Sequence, residues 1–354
     1  MKMSRTLALP TLALGLLLGA QAGAQDVTPD LPRTELKVVG GLSNLTAYQN
    51  NEQPFWTKTI PERSGGQVTA TVQGFNEMGL KGPELLRLIG QGVVPFGTAT
   101  LSYFAGDNPI NEAIDLAGLA PDVATARTVT EAFEPVYSDF YGKNRVKVLG
   151  ISTYPAQVLF CNAPITGLAD VKGKKVRTSS RTTGEFVQAL GGTAVTLPFG
   201  EVVPALQNGV VDCAITGSMS GYSAKWYEVS THLLELPINW NQQIHAANLN
   251  TWNQLDPKVQ DFLQIQIDGL VNQIWDAAAR ETQMGYDCNT GAAACDQAVK
   301  GSMTLVQPTD ADRELLRQIT AEVVVPKWAA RCNEQCVKDF NDTIGKELGI
   351  VASK

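Results

Sequence analysis

The chain is poor in the residues that most enzymes use for proton and metal chemistry. It has two histidines in 354 residues, His232 and His245, and its six cysteines form no Cys-x-x-Cys pair. Structural and catalytic zinc sites draw on such ligands and spacings, so a zinc centre is the weaker reading of the cysteines. The G-x-S-x-G nucleophile elbow, the H-E-x-x-H signature, the G-x-x-x-x-G-K-[ST] phosphate loop and a dinucleotide fingerprint after a strand are all absent. Neither histidine has an obvious Ser or Cys partner. The catalytic alternative left is an exported hydrolase with a carboxylate pair outside any motif. No cofactor or metal is implied. An excess of positive charge is missing as well: 28 Lys and Arg stand against 35 Asp and Glu, a formal net charge of −7. An acidic chain of this kind is not built to hold nucleic acid or anionic lipid. No internal repeat or low-complexity segment is evident.

Long apolar runs are lacking with one exception. Leu7 to Ala20 is apolar apart from Pro10 and Thr11, follows the basic Lys2 and Arg5, and precedes Ala22-Gly23-Ala24. That is the layout of a secretory signal peptide, too short for a membrane span. Residues 1–24 are therefore set aside from the fold, and the mature chain is expected to begin at Gln25, in the periplasm, with no direct membrane insertion. No cysteine lies near the cleavage site to carry a lipid. Loss of Lys2 and Arg5 leaves the mature chain two charges more acidic.

Export favours disulfides over metal, although six cysteines allow about 15 pairings. Cys288 and Cys295 bracket a small loop that can close locally. Cys332 and Cys336 are four apart, adjacent on a helical face. Cys161 and Cys213 are left, each on an expected strand of the same domain.

What the chain does have is a strand and helix alternation from Lys172 to Thr216. Arg177 ends a short strand, and a helix over Thr183 to Leu190 is stopped by Gly191-Gly192. A strand follows over Ala194 to Leu197, then a helix from Glu201 to Gln207, and Val210-Val211-Asp212 opens a third strand. Such alternation gives a parallel sheet, which binds ligands at the carboxyl ends of its strands. Arg177 lies at such an end. A guanidinium there matches a carboxylate with two parallel N–H donors and stays charged at any relevant pH.

The same stretch resembles the DctP-like solute-binding proteins of tripartite ATP-independent periplasmic (TRAP) transporters. The resemblance is carried by Gly173-Lys174-Lys175-Val176-Arg177, Leu190-Gly191-Gly192 and Pro198-Phe199-Gly200-Glu201-Val202. It continues through Ala205-Leu206-Gln207 and Gly209-Val210-Val211-Asp212. It implies a two-domain α/β fold with a mixed, mostly parallel sheet in each domain, flanking helices, and one long helix shared by both. The amphipathic run from Pro257 to Gln283 fits that helix. Domain I is expected over 25–154 plus about 243–282, and domain II over 155–242 plus about 283–354. The chain would cross over near Tyr154-Pro155 and return near Pro237 to Gln243.

The resemblance also implies a function: a periplasmic receptor that closes on a small organic acid and delivers it to one small and one large TRAP membrane subunit. The binding component of an ATP-driven importer is the alternative. Besides Arg177, the expected ligand set is Gln157 on the neighbouring strand, Phe199 as a wall, Thr216, and Trp240 with Asn241 at the return crossover. The first domain would add Asn44, Thr98, Thr100 and Tyr103. Gln157 stands where some relatives carry a second arginine, and Ile215 where keto-acid binders that use a cation have Glu. Both departures point to a monocarboxylate, with a 2-oxo or 2-hydroxy group or an aromatic ring, over a dicarboxylate. Arg181 is the residue able to reverse that argument by turning inward.

Overall fold

The computed structural model describes residues 30–354. The expected signal peptide and the expected start at Gln25 lie outside the described residues. The strands are β1 (Thr34–Gly40), β2 (Val68–Gly74), β3 (Phe96–Thr100), β4 (Val146–Ser152), β5 (Gln157–Cys161) and β6 (Lys175–Thr178). They continue with β7 (Thr193–Thr196), β8 (Cys213–Gly217), β9 (His232–Asn239), β10 (Gln243–Asn248) and β11 (Thr304–Val306). They build two sheets, ordered β2-β1-β3-β10-β4 and β11-β9-β5-β8-β6-β7.

The chain passes between the sheets after β4 and again after β9. These two crossings each feed a strand in reverse: β5 runs antiparallel to β8 and β9, and β10 antiparallel to β3 and β4, whereas a third passage, from β10 to β11, ends parallel to β9. The other pairings are parallel, including β6 with β7 and β8. Strands covered on both faces read as continuous apolar runs, and β5 and β8 are buried at every position.

Five helices matter for the site: α1 (Val123–Lys143), α2 (Arg181–Ala189), α3 (Val202–Gln207), α4 (Ser218–Ser223) and α5 (Pro257–Thr290). The last is longer than the periodicity indicated, because nothing breaks it until Gly291, whose left-handed φ of 78° ends it. Its first half packs Val259, Phe262, Leu263 and Ile267 into a core with Leu36, Val38 and Phe96 of the first sheet. Its second half packs against α4, beside the second sheet. There Gly285 sits so close that a Cβ would lie 2.3 Å from the Met219 nitrogen.

The third strand of the Arg177 stretch starts later than expected, at Cys213. Val210 is half-exposed and closes the end of α3 through its N–H to the Ala205 carbonyl. The cysteines pair as Cys161–Cys213, Cys288–Cys295 and Cys332–Cys336, leaving no free thiol among the described residues. Among those residues no helix is long and apolar enough to cross a membrane.

Candidate functional site

Arg177 is the one Lys or Arg side chain among the buried residues described, at 2 % exposure. It reaches over the ends of its two neighbouring strands. Its Nε donates to the Leu197 carbonyl at 3.0 Å, and Nη1 donates to the Ile215 carbonyl at 2.9 Å. β7 and β8 therefore hold the guanidinium in one orientation, with the remaining N–H groups uncommitted. Burial lowers its pKa to about 10, still far above neutral, so the group stays cationic. Tyr103 is the titratable group that faces it, and no carboxylate contributes. A buried cation without an anion is costly, and sites that keep one generally supply the anion from a ligand.

Around Arg177 the two sheets close on a small cavity of about 10 Å³, room for about one water molecule. From the second sheet come Gln157, Ser179, Phe199, Thr216 and Ser220; from the first, Leu42, Leu45 and Tyr103; from the crossovers, Tyr154 and Asn241. Phe199 is fixed by stacking on Trp226, centroids 5.6 Å apart, and Trp226 meets Phe160 edge-on. Burial raises the pKa of both tyrosines, so their hydroxyls are neutral donors. The lining holds no Asp, Glu, His or Cys and no second Lys or Arg. Among the described residues no group of three His, Cys, Asp or Glu is placed to hold a metal ion. Two roomier grooves, of about 540 and 690 Å³, open elsewhere, and neither contains a buried charge.

Asn241 owes its place to a carboxylate the sequence did not single out. Asp115 is buried, and its Oδ1 accepts the N–H groups of Trp240 at 2.7 Å and Asn241 at 3.0 Å, while Oδ2 accepts from the Asn239 amide at 2.7 Å. These bonds hold Asn241 at a left-handed φ of 57°, strained for a residue with a side chain, and Ser102 donates to its Oδ1 at 2.7 Å. Burial raises the Asp115 pKa to about 6.

Of the expected residues, Arg177, Gln157, Phe199, Thr216, Asn241 and Tyr103 line this one cavity. Four do not. Asn44 is exposed on the loop after β1. Thr98 turns behind the cavity and hydrogen-bonds His245 Nδ1 at 2.9 Å. Thr100, on the same face of β3, is buried and does not line the cavity. Trp240 points the other way from Asn241, with its indole N–H donating to the Ala120 carbonyl at 3.0 Å. Arg181 is largely exposed on α2, beside Glu185, and does not enter the cavity. Ser179 was legible in principle, since a residue two beyond Arg177 shares its face. Tyr154 and Ser220 carried no sequence signal beyond lying next to a crossover and after β8.

Residues 43–330 match the model of the bacterial extracellular solute-binding protein family 7. The chain belongs to this family. It is 25 % identical over 258 residues to the uncharacterised protein YiiZ of Salmonella typhimurium, covering 67 % of this chain and 76 % of that one. In fold it resembles DctP7, a Bordetella pertussis extracytoplasmic solute receptor binding pyroglutamic acid. The TM-score is 0.78 at 20 % identity, over 87 % of this chain and 98 % of the other. A TRAP periplasmic solute-binding protein of Sulfurospirillum deleyianum with bound succinate gives a TM-score of 0.75 at 21 % identity, over 88 % and 99 %. Family and fold are those of TRAP solute-binding receptors, two-domain proteins with a long helix shared between the sheets.

Proposed function

We propose that this chain is the periplasmic receptor of a TRAP transporter for a small monocarboxylic acid, which it captures between its two sheets and delivers to a small and a large membrane subunit. The observation that carries the proposal is Arg177: a buried cation, held by two carbonyls, facing an enclosed space with no counter-charge. The absence of a second cation in the lining favours one carboxylate over two, because a second would lose water without a charged partner. Phe199, Leu42 and Leu45 supply apolar walls for the rest of the ligand. No nucleophile and base are paired in the lining, which supports binding rather than turnover. The domain division proposed is 25–154 with about 243–282, and 155–242 with about 283–354, the crossovers serving as hinges. Export through the signal peptide of residues 1–24 and the disulfides fit the periplasm.

A thermal-shift screen across organic acids tests the class, since a ligand that binds only the folded state raises the melting temperature with ligand excess. Calorimetry with succinate, pyruvate and benzoate-type acids follows. Tight succinate binding with no response to any monocarboxylate overturns the choice of one carboxylate. Arg177→Lys should weaken binding by tenfold or more, because charged hydrogen bonds of about 1.5–3 kcal/mol each depend on the fork an ammonium lacks. It should also lower stability, since the Leu197 and Ile215 carbonyls lose their donor.

A further inference from the structure

Gln157 opens β5, and its side chain is 2 % exposed at the edge of the cavity. Its Nε2 donates to the Pro155 carbonyl at 2.9 Å. A carbonyl oxygen only accepts, so the amide nitrogen, not the amide oxygen, must face Pro155. The same nitrogen lies against Gly217, where an added Cβ would sit 3.1 Å from it. The nitrogen end of the amide is thus held by Pro155 and lies beside Gly217. Oε1, at the other end, has no hydrogen-bond donor among the described residues, and it is not among the buried atoms sealed off without a partner. It retains access to the cavity. Nε2 spends one of its two N–H groups on Pro155, and Oε1 is left as a free acceptor toward the ligand.

Arg177 faces the same cavity from the far side of β8: Gln157 is paired with Gly217, and Arg177 with Ala214. Its uncommitted N–H groups are donors. The cavity therefore offers a cation at one point and a carbonyl-type oxygen at another. A carboxylate oxygen suits the first and is repelled by the second. A 2-oxo group is repelled at Gln157 as well.

We propose that the ligand is a carboxylic acid bearing a hydrogen-bond donor next to the carboxylate, a 2-hydroxyl or a ring N–H, which Gln157 Oε1 accepts while Arg177 holds the carboxylate. This rests on the receptor reading above and narrows it: 2-oxo acids become the discriminated class. The specificity is of the strong kind, because an analogue without the donor leaves a buried acceptor unpaired.

The test uses matched pairs on the intact, oxidised protein. Calorimetry compares lactate with pyruvate, and pyroglutamate with the isosteric lactone in which ring oxygen replaces ring N–H. The donor-bearing member should bind at least about tenfold more tightly in each pair that binds. In Gln157→Met the ratio should fall to about one, while Arg177→Lys weakens both members alike. Equal or tighter binding of the acceptor member in the wild-type protein overturns the proposal, and so does a preference that survives Gln157→Met. Either result leaves the receptor reading standing if Arg177→Lys still weakens binding tenfold or more. Failure of every carboxylate to bind sinks both readings together.

Discussion

A pH experiment on Glu52 probes the buried polar cluster behind the cavity, where two groups of opposite charge type have been made neutral. Glu52 is 2 % exposed; its Oε2 accepts the Gly41 N–H at 2.8 Å, and Oε1 is sealed in without a partner. Burial raises its pKa from 4.5 to about 7. His245 is likewise buried between Thr98 and Ser152, at 2.9 and 2.8 Å, and burial lowers its pKa from 6.5 to about 4. The two act on stability with opposite signs. Folded Glu52 keeps a proton that the unfolded chain releases above pH 4.5, so its contribution is complete below 4.5 and lost as pH rises through 7. Folded His245 refuses a proton that the unfolded chain accepts below 6.5, so its contribution is complete above 6.5 and lost as pH falls through 4. Each gap corresponds to about 3 kcal/mol. Between pH 4.5 and 6.5 the two slopes cancel.

Glu52→Gln keeps the shape and removes one slope. The stability of the wild-type protein relative to the variant should fall by about 3 kcal/mol between pH 4.5 and 7. Urea unfolding with disulfides intact, repeated across that range, reads it. Asp115 titrates in both proteins and cancels in the difference. A difference curve that is flat across pH 4.5–7 would refute the claim that Glu52 is buried as the neutral acid. Because Gly41 adjoins Leu42 in the cavity wall, ligand affinity serves as a second readout of the same loop.

Two other perturbations follow from packing and covalent links. Gly285→Ala should push α5 off α4 and lower stability by about 3 kcal/mol or more, since the clash is with Ser218 and Met219 backbone rather than a movable side chain; it should also weaken ligand binding, because α4 carries Ser220. Replacing Cys161 and Cys213 with alanine opens a link across 52 residues and should cost about 4 kcal/mol by the chain-entropy estimate, while intact mass before and after alkylation of the native protein should show no reactive thiol.

The second sheet was the more legible half. Its strands are short, apolar and punctuated by glycines, so Val176 to Arg177, Ala194 to Val195 and the helices between them fall where the alternation places them. The exception, Val210 to Asp212, is an apolar run that a helix end uses for its own closure. Arg177, Gln157 and Thr216, on strands of the second sheet, all face the cavity, because side-chain direction follows the period. Off the strands the outcome divides: Phe199, Tyr103 and Asn241 line it, and Asn44 and Trp240 do not. Trp240 and Asn241 are neighbours, and which one faces the cavity is decided by Asp115, some 125 positions away in sequence. Thr98 and Thr100 are of the right chemical type and on the right strand, yet Thr98 is claimed by His245 and neither lines the cavity. The cysteine pairs needed the fold as well, since only the register of β5 against β8 sets Cys161 opposite Cys213.

On the proposed reading an acidic chain closes around an anion, and both the retention of the ligand and the closure need a physical account. Surface charge acts over about 8 Å at physiological ionic strength, so the net negative charge matters little to a group enclosed between the sheets. Arg177 works in the opposite regime, where water is excluded and screening is weak. On the proposed reading, closing the cleft without an anion would be expensive, because the guanidinium would give up its water for two carbonyl dipoles and no charge. Opening the cleft returns water to it. A carboxylate removes the penalty only when the cleft is shut around both, so its binding energy differs between the open and closed forms. That difference is what a ligand needs in order to shift a conformational equilibrium. A neutral isostere of the same shape, such as the amide of the acid, would fill the cavity without relieving the charge, and it should neither bind tightly nor compact the protein in small-angle scattering.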